Sequence, residues 1–216
     1  MTPNNFVHVV CEGKSERNYL AALNRLFRDS GIGVTLVYPK PQKRGREDGG
    51  GHFKVIQRAY REYVGSNRNI HPWVWVDWDV YLRNDQHCRE LYESRAAGIP
   101  AFLFSICNFE DFLVLHSSRE RVMDWVQICS EHQHFDLPMQ AEKYMPLFKR
   151  QFPEYRKGSL PDSLVMLGNG QIANALTHSL DPGIPLKCDF IEHLAHFIMN
   201  NRPEAGWPWN IIRQNA

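Results

Sequence analysis

The stretch Pro72-Trp73-Val74-Trp75-Val76-Asp77-Trp78-Asp79 limits what this chain can fold into more than any other. Its first half is an uninterrupted apolar run of aromatic and β-branched residues, the pattern of a central parallel strand covered on both faces. Two aspartates follow, one residue apart. Side chains alternate along a strand with a period of two, so Asp77 and Asp79 point the same way if strand geometry persists through them. At the C-terminal edge of a parallel sheet they would face the crevice where α/β proteins bind ligands. Asp-x-Asp there suits a hard cation such as Mg²⁺. The competing reading is a pair of acids that ends a strand and caps the next helix.

The totals narrow the class of protein. A chain of 216 residues fits one domain, or one domain with a sizeable insertion. With 43% hydrophobic residues and a formal net charge of +1, it is neither a disordered tail nor a basic nucleic-acid coat, so any nucleic-acid contact must come from local patches. The cysteines Cys11, Cys88, Cys107, Cys129 and Cys188 form no C-x-x-C pair and are odd in number, which reads as reduced thiols in a cytoplasmic protein. No signal-peptide pattern opens the chain, and no apolar run approaches the roughly 18 residues of a membrane span. Cytoplasmic localisation without a membrane partner is the expectation.

Taken in order, Phe6 to Cys11 reads as a first strand ended by Glu12-Gly13, and Ser15 as the cap of a helix from Glu16 to about Asp29. Val34 to Tyr38 reads as the next strand, closing a β-α-β unit. Glu12 then lies at the same strand edge as Asp77 and Asp79. Between Pro39 and Gly51 the apolar pattern stops, and Lys40, Lys43, Arg44 and Arg46 precede three glycines. That loop is either a phosphate-contacting arm or a solvated linker. Helices are expected at about 52 to 64 and 85 to 97, a fourth strand at Ile99 to Ser105, and a short helix at Phe109 to His116. Beyond Ser118 the pattern is helical: Glu120 to Glu131, Gln140 to Gln151, Gly170 to Ser179 and Lys187 to Asn200. The Trp207-Pro208-Trp209 segment is expected to pack on the domain.

Three motifs resemble those of a known family: Val9-Val10-Cys11-Glu12-Gly13-Lys14-Ser15-Glu16, Asp77-Trp78-Asp79, and Ser105 to His116. The chain resembles the RloB-like proteins, which carry a topoisomerase-primase (Toprim) domain and are related to the OLD-family nucleases. The third motif is the most specific, matching the family's Asn-Pro-x-Phe-Glu-x-Trp-x-x-x-His segment at Asn108, Phe109, Glu110 and His116. It departs where proline is missing beside Asn108 and where Phe112 replaces tryptophan, and Val80 follows Asp79 in place of a further acid. None of these removes a proposed ligand. The resemblance covers about residues 6 to 118. It implies a Toprim-like Rossmannoid core with a mainly parallel four-stranded sheet in residues 1–118, and a helical appendage in residues 119–216.

The resemblance also implies a function: a Mg²⁺-dependent nuclease, with Mn²⁺ able to substitute, cutting DNA or RNA (tRNA included) in prokaryotic anti-phage defence or abortive infection. Asp77 and Asp79 would be metal ligands, and Glu12 a ligand or general base. Glu110 either completes a second metal position or accepts backbone amides at its helix start. Lys14 either touches a phosphate or is a plain surface lysine. With Lys43, Arg44 and Arg46 it forms the expected nucleic-acid contact set. Asp111 is expected to face solvent, and His116 to be a satisfied core histidine. Zinc is set aside because the histidines lack standard spacing with the cysteines. Expected partners are the nucleic-acid substrate, a defence-system protein and a second copy of the chain. The alternative is a non-catalytic module on the same fold that binds nucleic acid or protein, indifferent to Mg²⁺.

Overall fold

The computed structural model describes residues 5–11, 13–38, 60–65, 70, 72–78 and 101–213. The tryptophan-rich stretch forms strand β3 (Trp73–Asp77), central in a five-stranded sheet whose order is Val34–Val37 (β2), Asn5–Cys11 (β1), β3, Ala101–Ile106 (β4) and Lys187–Cys188 (β5). Strands β1 (Asn5–Cys11) and β4 (Ala101–Ile106) flank it in parallel, and β2 (Val34–Val37) extends the parallel set beyond β1. Cys11 pairs with Trp75 and Asp77 with Ser105, so three neighbouring strands end near one edge.

Alternation along β3 sends Trp73 and Trp75 to one face and Val74 and Val76 to the other. Trp75 is fully enclosed and stacks on Phe190 at 4.1 Å between ring centroids, with Tyr19, Phe109 and Phe112 edge-on around it. On the opposite face Val10, Val74, Val76 and Phe104 enclose Tyr60. Both faces are therefore covered, which is why the run carries no polar alternation. Of the helix expected at 52 to 64, residues 60–65 are described and helical, whereas the one expected at 85 to 97 lies outside the described residues.

Helix α1 (Lys14–Asp29) buries Tyr19, Leu20, Leu23, Leu26 and Phe27. It begins earlier than the sequence suggests. Gly13, not Ser15, is the N-cap, and Ser15 is buried within the first turn. A Cβ on Gly13 would lie 2.7 Å from the Glu16 Oε2 atom, so a larger residue here would make the Glu16 carboxylate shift.

The C-terminal half contributes helices Arg119–Glu131, Ala141–Gln151, Asp162–Val165, Asn169–Leu180 and Asp189–Asn201. It also contributes β5 (Lys187–Cys188), antiparallel to the end of β4. The four expected strands are thus joined by a fifth from the half read as purely helical. Two residues are too short to carry a hydrophobic period, and with a helix following directly they read as its first turn. One apolar cluster runs from Val7 to Ile212. Trp209 is buried against Phe27 while Trp207 is exposed, so the C-terminal segment packs on the domain. Among the described residues no helix is long and apolar enough to cross a membrane. Of the described cysteines, Cys129 and Cys188 are free thiols.

Candidate functional site

Three of the parallel strands, β1, β3 and β4, are closed or followed by acidic residues at the same edge. Asp77 closes β3 with the parity of Trp73 and Trp75, on the face covered by α1 and by helix Phe109–Val114. Glu16, the third residue of α1, follows β1, and Glu110, in the first turn of the Phe109–Val114 helix, follows β4. β1 and β4 flank β3, so the helices that carry these two residues follow the strands on either side of the one that ends in Asp77.

Their electrostatics reflect that convergence. The Glu16 carboxyl is buried, and burial pushes its pKa up to about 7, with the Glu110 charge adding to the shift. Its own amide and that of Gly13 oppose the rise. Burial also raises the Glu110 pKa, against the opposing effects of the Tyr155 phenol, which donates to Oε1 at 2.7 Å, and of its own backbone amide. Of the two expectations for Glu110, the backbone amide at its helix start is met, and its charge also reaches the buried Glu16.

Glu12, Asp79, Lys43, Arg44 and Arg46 lie outside the described residues. Lys14 is exposed at the first position of α1, its stem alongside Gly158. Glu16 was not among the residues singled out for chemistry, yet it had a local signal. It precedes Tyr19, Leu20 and Leu23 by three, four and seven positions, so it sits on the apolar side of an amphipathic helix.

Asp111 corrects the sequence reading: it is fully buried, not solvent-facing. Its Oδ1 accepts from Trp125 Nε1 at 2.8 Å and the Tyr144 hydroxyl at 2.9 Å, and its Oδ2 from His134 Nε2 at 2.9 Å and the Asn108 amide at 3.3 Å. Cys107, Asp111 and His134 present ligand-type atoms within 4.8 Å of one another, and among the described residues no other such triad occurs. Zinc-type ligands therefore do meet, although their spacing hides it. Their hydrogen bonds argue against metal. The Met139 amide donates to His134 Nδ1 at 2.9 Å, which leaves Nε2 as the protonated nitrogen that donates to Asp111. The Cys107 thiol points to the His134 carbonyl at 3.6 Å. A metal would have to displace this set of contacts, so the cluster acts as a latch between helices. The Ile106–Cys107 peptide leading into it is cis.

His116 is buried between the Tyr19 hydroxyl, 2.8 Å from Nε2, and the Phe112 carbonyl, 3.2 Å from Nδ1. Burial lowers its pKa to about 4, so it is a neutral core histidine, in line with expectation. No protein-family model matches this chain, and neither a curated protein nor a solved structure does so.

Proposed function

We propose that this protein is a Mg²⁺-dependent nuclease hydrolysing phosphodiester bonds in DNA or RNA, with Glu12, Asp77, Asp79 and Glu110 as its acidic centre and Glu16 added to them. The reading is carried by one observation. Acidic groups close or follow three neighbouring parallel strands at one edge of the sheet, and the charge of one, Glu110, adds to the raised pKa of another, Glu16. The Toprim-like assignment and the role in phage defence rest on the motif resemblance.

The donor set fits the cation. Carboxylate oxygens are hard ligands of the kind Mg²⁺ takes, and repelling carboxylates with raised pKa values are relieved by a cation. Bound Mg²⁺ would neutralise phosphate charge and lower the pKa of a coordinated water. The chain's own groups orient the site: Asp77 from the end of β3, Glu110 from a helix start. Glu16, with its pKa near neutrality, can hold or release a proton at its carboxyl. Glu12 would be a ligand or a general base.

The test is cleavage of plasmid DNA and of a tRNA pool with and without Mg²⁺ or Mn²⁺. Asp77→Ala and Glu110→Gln should each lower metal-dependent cleavage by about 10³-fold, a loss of several kcal/mol of transition-state stabilisation. Undiminished cleavage in Asp77→Ala would overturn the assignment. Salt-dependent, Mg²⁺-indifferent binding without cleavage would replace it with the binding module.

A further inference from the structure

Glu110 and Asp111 are neighbours in sequence, and each receives a phenol from the C-terminal half, yet their surroundings differ. Asp111 is sealed by four donors. Glu110 is partly exposed and takes one side-chain donor among the described residues, Tyr155, on Oε1. Tyr155 is itself fixed. Its ring is 1% exposed and meets Phe148 edge-on at 4.9 Å, and the Ser15 side chain, in the first turn of α1, lies close to its hydroxyl. The turn that carries it is tied to α1, because Asn18 Nδ2 donates to the Gly158 carbonyl at 2.9 Å.

We propose that Tyr155 is a positioning residue of the acidic centre: reaching in from the C-terminal half, it holds Oε1 of Glu110 so that Oε2 is presented to a divalent cation, with Ser15 steadying the phenol. The inference rests on the reading of these carboxylates as a metal centre. Burial and the adjacent Glu110 charge push the phenol's pKa up, so it remains a donor wherever the protein is folded. Carboxylate ligands are held by such outer hydrogen bonds, and losing one typically costs about 10- to 100-fold in metal affinity. A chain Ser15–Tyr155–Glu110 also links α1, the C-terminal half and the Phe109–Val114 helix, so Glu110 has its final orientation only once all three are packed.

The experiment is a calorimetric titration of Mn²⁺ alone into the full chain, comparing wild type with Tyr155→Phe, Ser15→Ala and Tyr144→Phe. Tyr155→Phe keeps the ring and should bind Mn²⁺ about ten-fold more weakly. Ser15→Ala should lose less in the same direction, and Tyr144→Phe, which touches Asp111, should match wild type. Wild-type affinity in Tyr155→Phe overturns the inference, and so does an equal loss in Tyr155→Phe and Tyr144→Phe, which would be general loosening. Should Tyr155→Phe not fold, Ser15→Ala decides by the same readout, with unchanged affinity counting against the proposal. A wild-type chain that takes up no Mn²⁺ overturns the metal centre itself, and this inference with it.

Discussion

Glu16 carries its carboxyl on the apolar side of α1, where an alanine or a leucine would satisfy the pattern at no electrostatic cost. The folded protein keeps a proton on this group up to about pH 7, whereas an unfolded glutamate releases it near its ordinary value of 4.5. Between those values the folded state binds more protons than the unfolded one, so stability falls as pH rises through the window and is flat above it. At alkaline pH the penalty is on the order of 3 kcal/mol. Glu16→Gln should therefore melt higher than wild type in metal-free buffer above neutrality, and the two should converge near pH 4, as followed by thermal denaturation across pH. A constant difference at all pH values would assign the effect to packing. The position was half legible: helical spacing showed Glu16 on the buried side, but nothing local showed that the Glu110 charge would act on it.

The Phe109–Val114 helix shows how one element separates structure from chemistry. Its Asn108-x-x-Asp111 start is a capping box, with each side chain meeting the other's backbone amide. That much is readable from the sequence. The burial of Asp111 is not, because its other donors, Trp125, His134 and Tyr144, lie 14, 23 and 33 residues downstream. Removing a carboxylate held this way strands several buried donors. Asp111→Ala should lower unfolding free energy by about 3–5 kcal/mol in urea denaturation. Zinc or a chelator should leave the wild-type melting temperature unchanged if the Cys107–Asp111–His134 latch is complete by hydrogen bonding; stabilisation by zinc at that latch would refute this.

At the scale of the molecule, the C-terminal half covers the sheet that the N-terminal half builds. Phe190 stacks on Trp75, and Trp73 is met edge-on by Phe190, His193 and Phe197. β5 hydrogen-bonds the end of β4, and the Asp189 carboxylate accepts the Phe104 amide at 3.1 Å. A chain ended after Ser118 would expose the indole faces of Trp73 and Trp75 and leave β4 an open edge. It should lose cooperative unfolding and near-ultraviolet circular dichroism, and bind hydrophobic dye; a sharp, wild-type-like transition would show that the first half folds alone.

The α/β class, the order of the first four strands' segments and the double-sided burial of β3 could all be read from the chain, because a period of two and a period of 3.6 are local properties that residues a few positions apart reveal. Lys187-Cys188 pairing with β4, the sealing of Asp111 and the approach of Glu16, Glu110 and Tyr155 could not. These contacts join residues dozens of positions apart, and their energies come from burial and from charges brought together when the helices close over the sheet, quantities that do not exist in the extended chain.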